Sequence, residues 1–173
     1  MTVSDHIIEF FENLGVEHIF TVSGGGSIFL CDALARAKKM KYVACHHEQA
    51  AAYAGEAYAR LRGLGVVLVT SGPGGTNAVS GCASAWLDHV PLIFLSGQAF
   101  YGQTITFHKG LRQMGVQEIN IVDIVRPISK LAVMLTPVSN IRFYLTEAVR
   151  IATSGRPGPV WIDIPGDVQN ARI

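Results

Sequence analysis

The chemistry this chain could do is concentrated in one carboxylate and two glycine turns. The carboxylate is Glu48, in Cys45-His46-His47-Glu48-Gln49, directly before an alanine-rich run that ends at Arg60. A carboxylate at a helix start most often serves the helix dipole. Here it also stands where a strand hands over to a helix, and in open α/β sheets ligands bind at that carboxyl edge. The glycine turns are Ser23-Gly24-Gly25-Gly26-Ser27 and Ser71-Gly72-Pro73-Gly74-Gly75-Thr76-Asn77. Neither is a nucleotide fingerprint: G-x-G-x-x-G would need glycine at Phe29 in the first and at Asn77 in the second, and no G-x-x-x-x-G-K-[ST] occurs. Such turns let backbone approach a flat ring or a partner subunit, or are simply tight turns; the residues alone leave these open.

Two other chemistries are disfavoured. Cys45, His46, His47 and Glu48 are consecutive, and neighbours on a strand point to opposite faces, so they do not readily converge on one ion. His47-Glu48 lacks the second histidine of H-E-x-x-H, and no metal ligand is assigned. No G-x-S-x-G nucleophile elbow is present.

The elements that must position these residues alternate in type. Ile7, Phe10, Phe11 and Leu14 predict a first helix that Gly15 ends. Strands are expected at 18–22, 42–45, 65–70, 91–96, 130–135 and 159–164. Helices are expected at 28–39, 48–61, 78–87 and 141–152, with a helical turn or two in 119–125. The runs 65–70 and 91–96 are continuously apolar and read as strands buried on both faces. Residues 99–116 show no period and form the longest irregular stretch. The alternation predicts an α/β fold on a mainly parallel six-stranded sheet.

At 173 residues the chain has the size of one domain with a full core. Charged residues make up only 16% against a usual quarter, so part of the surface is expected to be covered by a partner, and the small-residue helices from Glu48 and Ala78 suggest self-association. Net charge is +1 with no basic run, which proposes neither nucleic acid nor an anionic membrane. No apolar run reaches the length of a membrane span. Asp5, Glu9 and Glu12 exclude an ordinary signal peptide. Cys31, Cys45 and Cys82 are odd in number and widely spaced and read as reduced, buried thiols of a cytoplasmic protein.

In order along the chain, Gly24-Gly25 before Asp32-Ala33-Leu34, His47-Glu48-Gln49-Ala50-Ala51 with Ala57-Tyr58-Ala59-Arg60, Thr70-Ser71-Gly72-Pro73-Gly74-Gly75-Thr76-Asn77, Asp88-His89-Val90-Pro91, Gly97-Gln98, Gln117-Glu118, Arg126-Pro127 and Arg156-Pro157-Gly158-Pro159-Val160 form a specific set. The set resembles the N-terminal, pyrimidine-binding domain of thiamine diphosphate enzymes of the acetolactate synthase type, over essentially residues 1–173. The resemblance implies a three-layer α/β/α domain and thiamine diphosphate as cofactor. It makes Glu48 the activating carboxylate at N1′ of the aminopyrimidine, which promotes loss of the C2 proton of the thiazolium. Gly72, Pro73, Gly74 and Asn77 resemble the segment near the pyrimidine, Gly25 and Gly26 the turn beside the reacting carbon, and Gln117 a glutamine facing a small 2-keto acid substrate. Three departures from the pattern concern the substrate: Ser23 for a proline, Val116 for an aromatic and His89 for a serine. The loop 101–110 looks more like enzymes of sugar-modifying pathways than those of branched-chain amino acid synthesis.

In this family diphosphate and Mg²⁺ are held by a separate domain with Gly-Asp-Gly; here Gly166-Asp167 is followed by Val168. The expectation is half of an active site, inactive alone. It would be the first domain of a longer enzyme or a small subunit paired with a diphosphate-binding partner, with FAD use left open. The rival is a non-catalytic flavodoxin-like binding or assembly module in which Glu48 merely starts a helix.

Overall fold

The computed structural model describes every residue except Lys109 and Val138. Strand β3 (Gly65–Val69) is buried along its whole length, as its apolar run predicts, and its side chains feed two separate cores. Val66 and Leu68 join Ile93, Leu95, Ile162 and Ile164 on one face. Val67 and Val69 join Leu92, Phe94 and Trp161 on the other. Strand side chains alternate in direction, so a strand apolar at every position must be covered twice.

The covering helices divide accordingly. Against the first face lie α1 (Val3–Asn13), α2 (Ile28–Ala35), α6 (Ile141–Thr153) and α7 (Gly166–Asn170), through Phe11, Leu30, Leu145 and Val168. Against the second lie α3 (Glu48–Arg62), α4 (Pro73–Leu87) and α5 (Ile121–Val125), through Ala52, Cys82 and Val125. The sheet of β1 (His18–Thr21), β2 (Lys41–Ala44), β3, β4 (Leu92–Gln98), β5 (Leu131–Met134) and β6 (Val160–Pro165) has the order β2-β1-β3-β4-β6-β5. All its pairings are parallel, and with helices on both faces the domain has three α/β/α layers. Trp161 stacks on Phe94 with ring centroids 4.6 Å apart; truncating so buried an aromatic to alanine costs about 3–5 kcal/mol.

Several sequence expectations are corrected. Helix α2 ends at Ala35 rather than near residue 39, because the Glu12 carboxylate accepts the backbone N–H groups of Lys39 at 2.6 Å and Met40 at 2.9 Å and draws the chain out of the helix. Helix α4 begins at Pro73, not Ala78. The second glycine turn is therefore largely the first turn of a helix, started by proline at a position whose missing N–H costs nothing. Helix α7 was unforeseen. All three cysteines are free thiols, but only Cys82 is buried, and burial pushes it up to about 12. Cys45 follows β2, the exposed edge strand, and is half-buried, as is Cys31. The irregular stretch contains one 3₁₀ turn, Tyr101–Gln103; Lys109 of the loop 101–110 lies outside the described residues.

Candidate functional site

Strands β1 and β3 are neighbours, with Phe20 opposite Val67 and Thr21 opposite Leu68, yet the chain leaves β1 toward β2 and β3 toward β4. Strand order reverses between them, and such switch points open a crevice at the carboxyl ends of the strands. Both glycine turns leave from this point. The Gly26 N–H donates to Thr70 Oγ1 at 3.0 Å, which joins the first turn to the end of β3.

Glu48 occupies the first position of α3 and is 8% exposed. His47 caps that helix, its Nδ1 accepting from the Gln49 N–H at 3.1 Å. One turn into α4, the Asn77 side chain donates from Nδ2 to Glu48 Oε2 at 2.9 Å. This bond needs α3 and α4 to run close together, and they do: a Cβ on Gly81 would lie 2.3 Å from that of Ala52. Gly74 lies against the carboxylate, since a Cβ there would lie 2.6 Å from the Thr70 methyl and 3.3 Å from Glu48 Oε1.

Beside this cluster is a cavity of ≈ 400 Å³ whose walls include Gly25, Gly26, Phe29, Phe100, Val116 and Gln117. Gln117 is held with φ +54, a left-handed conformation unusual for a residue with a side chain. It is placed by Gly72, itself at φ +56, where a Cβ would meet the Gln117 carbonyl oxygen at 2.2 Å. The structure thus brings Glu48, Gly74 and Asn77 together in one cluster. It gathers Gly25, Gly26 and Gln117 around one cavity, and Gly72 touches the Gln117 backbone between them. Pro73 is exposed at the start of α4.

Sequence reasoning missed Thr70 and Ser71, which link the two glycine turns; their place as the last residues before Gly72 was the available signal. It also missed a buried network that reaches the cavity through Gln98. Ser96 Oγ donates to Asp163 Oδ1 at 2.5 Å, Gln98 Nε2 donates to Asp163 Oδ2 at 2.9 Å, and Trp161 Nε1 donates to Ser96 Oγ at 2.8 Å. These residues come from different strands, and only the parallel register of β4 and β6 makes them neighbours.

Among the described residues, no three His, Cys, Asp or Glu side chains are placed to hold a metal ion. The arrangement offers instead a carboxylate fixed through one oxygen, with its other oxygen beside glycine backbone. That fits a flat heterocycle with a protonatable nitrogen. No described helix is long and apolar enough to cross a membrane.

Residues 1–124 match the family model described as thiamine pyrophosphate enzyme, N-terminal TPP binding domain. The chain is 42% identical over 171 residues to the acetolactate synthase of Arthrospira platensis, with 96% of this chain and 28% of the relative covered. It is 41% identical over 170 residues to the chloroplastic acetolactate synthase of Arabidopsis thaliana, covering 96% of this chain and 24% of the relative. To the acetolactate synthase large subunit of Lactococcus lactis it is 39% identical over 174 residues, covering 98% of this chain and 28% of the relative. The chain thus spans about a quarter of the length of these curated relatives. With the family pattern covering most of the residues that build the crevice, the chain belongs to the thiamine pyrophosphate enzymes, as their N-terminal TPP-binding domain.

Proposed function

We propose that this chain forms the aminopyrimidine-binding half of the active site of an acetolactate synthase-like enzyme that acts on small 2-keto acids. The observation that carries the reading is the Glu48 carboxylate, nearly buried at the carboxyl edge of the sheet and tied through Oε2 to Asn77. Bound thiamine diphosphate supplies a carbon nucleophile to the keto group. Glu48 holds and exchanges a proton at the ring nitrogen N1′, Asn77 keeps the carboxylate aimed, and Gly74 leaves room for the ring. Gly25, Gly26 and Gln117 line the space for the keto acid, together with Val116, where the family resemblance expects an aromatic and the smaller side chain leaves more room.

Diphosphate and Mg²⁺ are held by a partner domain, in cis or on a separate subunit, and the chain alone is inactive. The low charge, which leaves part of the surface to be covered by a partner, favours an oligomer. Family membership and the geometry around Glu48 favour this reading over a non-catalytic module.

The test is Glu48→Gln in the complete enzyme, measuring hydrogen–deuterium exchange at C2 of the bound cofactor together with a thermal melt. Removal of a positioned acid/base group slows exchange by about a hundred- to ten-thousandfold, or roughly 3–5 kcal/mol of barrier. A carboxylate that only serves the helix dipole would change stability by at most about 1 kcal/mol and leave exchange within a few-fold of wild type.

A further inference from the structure

At the end of the sheet away from the glycine turns, the α4–β4 and α6–β6 connections and the residue before β5 enclose a cavity of ≈ 320 Å³. Its walls are Trp86, Leu87, His89, Lys130, Arg156 and Pro157. We propose that this cavity binds a small organic anion carrying a planar ring, independently of the thiamine site.

The first ground is charge. Arg36, Arg60, Arg62, Arg126 and Arg150 all pair with Asp or Glu. Arg156, like Arg112, Arg142 and Arg172, has no carboxylate partner among the described residues, but it alone of these lines this cavity; its Nε lies 3.0 Å from Nε2 and 3.1 Å from Nδ1 of His89, and its Nη2 also reaches Nε2. A guanidinium braced by a ring and lacking a counter-ion retains donors for a carboxylate or phosphate. The Lys130 ammonium serves structure, donating to the carbonyl oxygens of Ile151 and Ser154 at the end of α6, but it adds positive field to the same cavity.

The second ground is the apolar wall. Trp86 is 39% exposed and Leu87 72%, at the end of α4 where no described segment covers them. The missing side chain of Gly158 lets the Lys130 stem and the Trp86 ring approach: a Cβ there would lie 3.1 Å from Lys130 Cδ and 3.9 Å from Trp86 Cε3. An indole beside a guanidinium suits a ring that carries a negative group. The volume lies at the small end of ligand pockets and admits one ring system with one anionic group.

The third ground is backbone strain. Only His89 and Gln117 among the described non-glycine residues have positive φ, and Gln117 lines the cavity at the opposite end. His89 is held at φ +58, where the family resemblance expects serine; contrary to the sequence expectation this departure lies away from the keto-acid space, and the position carries both a strained conformation and an added ring. Such strain persists where the surroundings over-determine it and concentrates at binding sites.

Trp86 is also a built-in reporter, because the other tryptophan, Trp161, is fully buried. The full chain is titrated with adenosine 5′-monophosphate and with benzoate, following tryptophan emission, with adenosine and inorganic phosphate as the ring-only and anion-only arms. At least one of the ring-bearing anions should quench emission and bind more tightly than either fragment, and the better probe tells phosphate from carboxylate. Arg156→Gln should weaken that binding about ten- to a hundredfold, as loss of charge-assisted hydrogen bonds does. Trp86→Phe should abolish the quench while calorimetry still registers heat. His89→Ser, which restores the residue expected from the family, tests the site without removing the charge and should weaken binding several-fold; it serves also if Arg156→Gln misfolds by circular dichroism. Absence of binding by both anions up to about 10 mM, fragments binding as well as the whole, or unchanged affinity in the folded variants would overturn the proposal.

Discussion

The Asn77 amide donates to Glu48 Oε2 across 2.9 Å, so the first turn of α4 fixes the carboxylate at the first turn of α3. The two residues are 29 apart in the chain and meet only because both helices start at the carboxyl edge of one sheet. Asn77→Ala should leave Glu48 present but unaimed. In the complete enzyme we expect turnover to fall roughly ten- to a hundredfold, the range of one hydrogen bond to a charged group. Stability should change by less than about 1 kcal/mol because Asn77 is exposed. Steady-state rates beside a melt check this; a stability loss with unchanged turnover would make the bond merely structural.

Gly72 and Gly25 should respond differently to the same substitution. Gly72 sits at φ +56 with the Gln117 carbonyl oxygen 2.2 Å from where a Cβ would be, whereas nothing lies within 4 Å of the corresponding point on Gly25. Gly72→Ala should destabilise by about 2–3 kcal/mol or more, a fall of roughly 4–12 °C for a domain of this size. Gly25→Ala should melt close to wild type. Differential scanning calorimetry on the two variants decides it, and equal melting temperatures would refute the contact.

Asp163 predicts a pH dependence. Burial pushes its carboxyl up to about 7 from 3.8; hydrogen bonds from Ser96 and Gln98 oppose the rise, and the charge of Glu118 adds to it. Between these values the folded chain holds a proton that the unfolded chain has released. The stabilisation from this group is therefore complete below about pH 3.8 and is lost as pH rises toward 7. At roughly 1.4 kcal/mol for each pH unit the loss is on the order of a few kcal/mol. Urea unfolding at pH 4, 5, 6 and 7 should show wild type declining relative to Asp163→Asn; parallel curves would show that Asp163 does not titrate in this window.

The proposed half-site predicts weak cofactor binding by this chain alone, since ring contacts remain while charge-assisted phosphate contacts are supplied by a partner. Calorimetry with thiamine diphosphate and Mg²⁺ should register little heat, and turnover of pyruvate should be absent. Tight, Mg²⁺-dependent binding would require a diphosphate site within these residues.

Association is the companion expectation. The chain should sediment as a dimer or larger at roughly tens of micromolar, a range in which interfaces of standard size persist. A monomer at that concentration would refute the association expected from the low charge, since the small-residue faces of α3 and α4 already pack on each other.

Much of this molecule was legible before folding was considered. The apolar run of β3 required two covering layers, the strand–helix alternation required a parallel sheet, and Glu48 was placed correctly because the strand before it and the alanines after it are local signals. The second glycine turn was misjudged: Gly74 and Gly75 have low helix propensity, and packing against Thr70 and Ile121 overrides it. The end of α2 was misplaced for a similar reason, because a distant carboxylate, Glu12, captures its backbone.

Glu48 and its glycine turns are properties of short stretches, so the sequence by itself determined which groups could act and at which edge of the sheet. Tertiary structure alone decided that Asn77 reaches Glu48 and that Gly72 seats Gln117. It also put Asp163 under Ser96 and Gln98, and gathered Trp86, His89 and Arg156 around one cavity. Those contacts join residues 29 to 70 positions apart, and parallel pairing sets their register; local preference specifies what each segment becomes, but only the packed sheet specifies what each side chain meets.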